Sequence, residues 1–306
     1  MWTEGRQSHL PFSATIADQS IASYSVLGSP VVVISDIPEV LDRVDETYIA
    51  FRQEAASLDG ALVVGLLRQS GGTYLVYDSD GYRQDWPDVP TALLKLLGQI
   101  VQGVLARLHA RGMYAIHAGA VVHHGAALII AGTSGQGKTT LVLGLLRRGL
   151  GLLSDELAIV DPDTQHIWPY RRSLHIRPGT PELIPELAFL HQRPRHQLGG
   201  GIEWALAPAE LDRALPGSLA CAAPLRSVLL LDGAPRPDGP PAIASVPAAL
   251  ATMELLRGTW AASVDFAAGL ARIGRLMDGV ACARLRAGAL DATLDAVMSW
   301  LESRNG

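Results

Sequence analysis

Apolar positions along this chain switch between a period of two and a period near 3.6, and the switches mark out its elements. Val31-Val32-Val33-Ile34-Ser35 is β-branched and reads as a strand, and Ala61-Leu62-Val63-Val64-Gly65-Leu66 reads as another. Ser70-Gly71-Gly72 leads into a strand pattern at 73–77, a hairpin signal. Asp78-Ser79-Asp80-Gly81 turns the chain into a further one at 82–86. The front of the chain, to about Pro90, thus predicts an antiparallel meander. It carries no catalytic constellation.

From Pro90 to about Arg111 the period is helical, through Leu93, Leu94, Leu96, Leu97, Ile100, Val101, Val104, Leu105 and Leu108, and Gly112 suits the stop. Two strand patterns at 114–122 and 126–131 follow, joined by a tight turn at His123-His124-Gly125. A helix pattern at 141–148 precedes a strand pattern at 149–160. Between about 178 and 245 proline and glycine are frequent, which predicts loops and short helices broken by one strand at 227–231. A strand at 280–285 and an amphipathic helix at Leu290–Glu302 close the sequence, without an internal repeat or low-complexity tail.

Length and charge narrow the class. The chain has 306 residues, 48% of them hydrophobic and 18% charged, enough for about two domains and too apolar for disorder. We place them at 1–90, β-rich, and 91–306. The formal net charge of −5 argues against a nucleic-acid coat. Two cysteines, Cys221 and Cys282, exclude a disulfide scaffold and a four-cysteine zinc site, and each reads as a buried small hydrophobe. Met1-Trp2-Thr3-Glu4-Gly5-Arg6 leads into no signal-like stretch, and the run Ala126–Ala131 is far too short to span a bilayer. A cytoplasmic location with no membrane partner is the expectation.

The chemistry concentrates in Gly132-Thr133-Ser134-Gly135-Gln136-Gly137-Lys138-Thr139-Thr140, which fits G-x-x-x-x-G-K-[ST] between a strand and a helix. Its glycines let backbone N–H groups turn in around phosphate oxygens, and the helix start favours an anion. Lys138 is expected to reach the β- and γ-phosphates of ATP and the Thr139 hydroxyl to sit on Mg²⁺. The antiparallel hairpin feeding this loop is unlike the parallel βαβ entry of ordinary nucleotide switches and motor ATPases. Seventeen residues beyond Lys138 stands a carboxylate pair, Asp155-Glu156, inside an apolar stretch. Buried without partners, two such acids would cost several kcal/mol. A metal ion or a substrate hydroxyl is the natural partner.

Taken together, His117, the hairpin, Gly132 to Thr139 and Ser154-Asp155-Glu156 resemble the HPr serine kinase/phosphorylase family and its relatives over about residues 113–177. The wider group of HPr-kinase-related proteins includes tailoring kinases of lasso-peptide clusters. The resemblance implies a mixed α/β (α+β) fold: a phosphoenolpyruvate carboxykinase-like core with a hairpin feeding the phosphate loop, plus a smaller β-rich front domain. It implies that Asp155 is the general base for the acceptor hydroxyl, Glu156 a metal-side carboxylate, and His117 a neighbour of the transferring phosphoryl group. ATP and Mg²⁺ are the implied cofactors, and a homo-oligomer follows only by analogy. The family motif Leu-Glu-Ile-Arg-Gly appears here as Leu174-His175-Ile176-Arg177-Pro178. Arg177 matches the arginine, while His175 replaces the glutamate and puts efficient phosphorolysis in doubt.

Around that motif the sign of charge reverses, with Arg171, Arg172, Arg177, Arg193, Arg195, His175, His191 and His196 against Glu182 and Glu186. This reads either as a phosphate or acidic-peptide contact or as a solvated loop. Arg177 is the first candidate to meet the transferring phosphate, with Arg171 and Arg172 beside it and Arg226 a weaker one. Gly199-Gly200-Gly201 reads as a hinge. The leading function is an ATP-dependent serine/threonine kinase acting on a protein or peptide, with a small-molecule hydroxyl as a variant acceptor. The alternative is a nucleotide-binding regulatory or assembly protein without efficient transfer.

Overall fold

The computed structural model describes residues 19–54, 58–198, 201–259 and 266–304. The chain divides into two compact units, Met1–Arg107 and Leu108–Gly306.

The first unit is built on a six-stranded sheet of β1 (Ser20–Val26), β2 (Ser29–Ser35), β3 (Arg52–Gln53), β4 (Leu62–Arg68), β5 (Tyr74–Asp78) and β6 (Arg83–Trp86), in the order β3-β1-β2-β4-β5-β6. The expected meander is corrected at one pairing. β2 and β4 run parallel, with Val31 opposite Leu62 and Ser35 opposite Leu66. Parallel neighbours need a crossover, and α1 (Pro38–Tyr48) supplies it. Pro38 suits a first helical turn, and Val40, Val44, Thr47 and Tyr48 form the buried stripe.

Helix α2 (Val89–Ala110) follows and crosses the boundary between the units. Not Ala126–Ala131 but α2 comes nearest to a membrane span: by length and composition it could cross one. Ala92, Leu96, Ile100, Val104 and Leu108 on it are nevertheless buried. A Cβ at Gly103 would strike the Leu62 side chain, so this glycine is what lets α2 approach β4.

The second unit holds β7 (Tyr114–His123), β8 (Ala126–Ala131), α3 (Lys138–Arg147), β9 (Gly151–Ser154), β10 (Leu157–Asp161), β11 (His166–Trp168), β12 (Leu174–Ile176), α4 (Thr180–Leu183), β13 (His196–Leu198) and β14 (Gly201–Leu206). It continues with α5 (Pro208–Ala214), β15 (Ala223–Leu231), β16 (Ala242–Ser245), α6 (Ala248–Arg257), α7 (Phe266–Leu276), β17 (Ala281–Arg286) and α8 (Leu290–Glu302). Its main sheet runs β11-β10-β7-β8-β15-β17-β16, with β9 also paired to β7. β8, β15 and β17 are parallel at its centre, and β7 is antiparallel to β8.

Successive residues of β8 feed opposite faces, as the pleat requires. Leu128 and Ile130 join Leu141, Val142 and Leu145 of α3 and Leu294 and Val297 of α8. Ala127, Ile129 and Ala131 join Leu255 of α6 and Ile273 and Leu276 of α7. The result is a mixed α/β sandwich.

Three local expectations are corrected. The strand expected at 149–160 is two strands, β9 and β10, interrupted at Asp155-Glu156, and both pair with β7. The stretch 178–245 is richer in strands than a single one at 227–231: β13 and β14 join β12, which precedes the stretch, in a small antiparallel sheet, and β16 edges the main one. Of the cysteines, Cys282 is buried, with its thiol pushed up to about 11 by burial, while Cys221 is exposed. In the hinge expected at 199–201, Gly199 and Gly200 lie outside the described residues, and Gly201 begins β14.

Candidate functional site

The hairpin that feeds the loop is set by its turn. His124 and Gly125 both have positive φ, 47° and 78°, which matches a two-residue hairpin turn of the primed type. β8 then delivers the chain to Gly132 beside the end of β15. A Cβ at Gly132 would lie 2.9 Å from Leu231 Cβ, so only glycine fits. Gly135 and Gly137 take φ of 83° and 84°, the left-handed region, and these turns fold the loop back into α3. Lys138, Thr139 and Thr140 open α3, whose first amides have no acceptor within the helix by geometry alone. The loop thus sits at the carboxyl end of β8, where open α/β sheets bind ligands.

Lys138 is buried, with its ammonium donating to the carbonyls of Gly132 at 2.8 Å and Thr133 at 3.1 Å. The Thr133 amide donates to Gln136 Oε1 at 2.7 Å. The loop therefore holds its lysine and its glutamine against its own backbone. Burial pushes the Lys138 pKa down, Asp155 pushes it up, and the Arg177 cation pushes it down.

Among the described residues only three Lys, Arg, Asp or Glu side chains are buried: Lys138, Asp155 and Glu203. A buried charge costs several kcal/mol unless neighbours compensate it, and Asp155 interacts with both of the others. Asp155 lies in the break between β9 and β10. Burial raises its pKa, Arg172 and Lys138 lower it, and Glu203 raises it. The break is shaped by Ser154, whose hydroxyl accepts from the amides of Glu156 at 3.2 Å and Leu157 at 3.0 Å. Glu156 forms an ion pair with Arg172.

His117 stands on β7, three residues inside its start. It shares a strand face with Gly119, whose Cβ would lie 2.8 Å from Val142 of α3, so His117 is on the phosphate-loop face. Its pKa is lowered by desolvation first, then by the cations of Lys138 and Arg172. All three effects favour the neutral form of the imidazole.

The basic stretch at 171–196 does not form one patch, because acids distant in sequence meet its cations. Arg171 donates to the Ala220 carbonyl and Arg172 pairs with Glu156. Arg177 Nε donates to Glu203 Oε1 at 2.9 Å. Arg193 pairs with Glu210 at 2.7 Å, and the Arg195 guanidinium lies over Trp204. From this stretch, Arg172 and Arg177 act electrostatically on Lys138, Asp155 or His117. Arg226 is elsewhere: Leu225 and Ser227 around it pair with Ala127 and Leu128 at the opposite end of β8. There Arg226, His123 and Arg304 line a cavity of about 630 Å³.

Sequence reasoning missed Glu203. It lies on β14 in Ile202-Glu203-Trp204-Ala205-Leu206, and a lone acid in an apolar run was the available signal. Its second oxygen, Oε2, is 3.6 Å from His175 Nδ1, so the histidine that departs from the family motif has a carboxylate beside it.

The donor set suits a nucleotide with Mg²⁺. Magnesium is usually held by one or two carboxylates together with phosphate oxygens. Asp155, next to the loop lysine, and the Thr139 hydroxyl at the start of α3 provide that kind of partial shell.

No family model matches the sequence, and no curated protein matches it. Among solved structures it is similar to the Hpr(Ser) kinase/phosphatase from Coxiella burnetii, at 13% identity and a TM-score of 0.31, over 63% of this chain and 99% of the other. The relationship is distant, and nothing about this chain's chemistry follows from it.

Proposed function

We propose that this chain is an ATP-dependent kinase that transfers the γ-phosphoryl group to a serine or threonine hydroxyl of a protein or peptide, with Asp155 as general base. One observation carries the reading. A glycine-rich strand-to-helix loop, with its lysine at the helix start, faces a buried carboxylate whose proton affinity is raised.

Phosphoryl transfer asks the protein for positioning and charge stabilisation rather than covalent work. The amides opening α3 and the loop glycines bind phosphate oxygens. Lys138 leaves the Gly132 and Thr133 carbonyls for the β- and γ-oxygens. ATP with Mg²⁺ supplies the phosphoryl group and part of the neutralising charge; Thr139 and Asp155 would hold the metal, with Glu156 at its side. Asp155 accepts the hydroxyl proton, and burial raises its basicity for that task. Arg172 favours the ionised form of Asp155 and pairs with Glu156. His117 offers a ring nitrogen on the same face.

The test is label transfer. With γ-labelled ATP and Mg²⁺, the protein is incubated with serine- and threonine-containing peptides, the products of neighbouring genes and a panel of hydroxyl metabolites. Acid-stable label on serine or threonine is the expected result. Tight ATP binding with no labelled acceptor anywhere in the panel favours the regulatory or assembly reading instead.

A further inference from the structure

Glu203 is the one buried charge that the transfer chemistry leaves without a task. It is 5% exposed, on β14 of the small antiparallel sheet. It bonds Arg177, which lies just beyond β12 and whose side chain is 52% exposed. Burial does not hold that arginine in place; the 2.9 Å bond from Nε to Glu203 Oε1 does. A guanidinium tied through Nε still has both terminal nitrogens to present to a ligand. Arg177 also lies near enough to the Lys138 ammonium to act on it electrostatically. Glu203 itself adds a like charge near Asp155, an arrangement that costs free energy unless cations compensate it. An apolar residue would fill a merely structural position at lower cost.

We propose that Glu203 is a positioning residue that holds the Arg177 guanidinium beside Lys138, so that the protein binds a nucleoside triphosphate in preference to a diphosphate. The proposal rests on the nucleotide reading of the loop but does not need transfer to occur. The terminal phosphate brings the extra negative charge of the triphosphate, and an arginine held at the lysine head adds a charge-assisted contact that the diphosphate cannot use.

The test is equilibrium binding, by calorimetry with Mg²⁺, of a non-hydrolysable ATP analogue and of ADP. It uses the full chain and its Glu203→Gln, Arg177→Met and double variants. Each single substitution is expected to weaken the triphosphate analogue about tenfold, the scale of one charge-assisted contact, and ADP less than about twofold. The double variant should be no worse than Arg177→Met, because the two residues act as one unit. Glu203→Asp, which keeps the charge and shortens the reach, should give an intermediate loss and covers the case in which Glu203→Gln does not fold. Equal loss of both nucleotides, or additive effects in the double variant, overturns the proposal. If the unaltered protein binds neither nucleotide, the nucleotide reading itself fails and the proposal with it.

Discussion

The two units treat charge in opposite ways. In the front unit the buried polar side chains described are Ser23, Ser29, Ser35, Thr47 and Gln99, all neutral. Its ion pairs lie toward solvent: Arg52 with Asp45 at 2.6 Å, and Arg107 with Asp80 at 2.7 Å. Its stability rests on hydrocarbon, as in Val31, Val33, Leu62, Val64 and Leu66, all within 1% of full burial. The rear unit has an equally apolar core on both faces of its sheet, and yet buries Lys138, Asp155 and Glu203 together. Nothing in folding requires that expense. Charges gathered in one place at a cost to stability point to chemistry, and one of these is the lysine of the glycine-rich loop.

Lys138→Ala is the substitution expected to break this contrast most severely. It removes the only buried ammonium described and the proposed partner of the nucleotide phosphates, so nucleotide affinity should fall by about a hundredfold or more, read by calorimetry. Retained affinity would mean the loop is only a turn. Leu62→Ala tests the other side. Leu62 is fully buried against α2, so its truncation should cost about 2–5 kcal/mol of front-unit stability in a denaturant melt. Nucleotide affinity should stay within about twofold, because no group of the candidate site lies in that unit. A large loss of affinity would refute the separation of roles.

A third prediction concerns stability alone. The Asp155 carboxyl has a folded pKa raised above its ordinary 3.8, so the folded chain binds more protons than the unfolded one between those two values. Stability is therefore lost as pH rises through that window, because ionising the buried group carries a cost. Asp155→Asn should raise the melting temperature of the nucleotide-free protein by about a few degrees. A lower melting temperature would show that Arg172 and Lys138 more than compensate the buried charge. The smallest effect belongs to Arg107→Ala. Its hydrogen bond holds the Asp80 carboxyl below the usual range, so this pair stabilises above that range and less as pH falls through it. Being half-exposed, it should contribute less than about 1 kcal/mol at neutral pH.

The local part of this architecture was legible in the sequence. Spacing alone located the loop from Gly132 to Thr140, the hairpin before it and the helix after it, because each is fixed by residues within a few positions. Pairing across distance was not. Nothing local in Val31–Ile34 and Leu62–Leu66 says that they run parallel; α1 says it, through the buried stripe Val40, Val44 and Tyr48 that the reading passed over. Asp155 and Glu156 were visible as a pair, but the break that separates β9 from β10 depends on the hydroxyl of Ser154. Glu203 was hidden because it lies 48 residues beyond Asp155 in a stretch read as loops, and only the β12–β14 pairing brings it beside Arg177. The basic stretch looked like one patch for the same reason: Glu156, Glu203 and Glu210, which neutralise it, come from other parts of the chain.

The central claim is that Asp155 is a base placed beside a phosphate cradle. The direct test is to measure, on the same samples, ATP affinity and γ-phosphoryl transfer for the unaltered chain and for Asp155→Asn. The account predicts ATP affinity within about threefold and transfer slowed by about 10²–10⁴, the contribution of a positioned general base. Transfer at an undiminished rate in Asp155→Asn would contradict it.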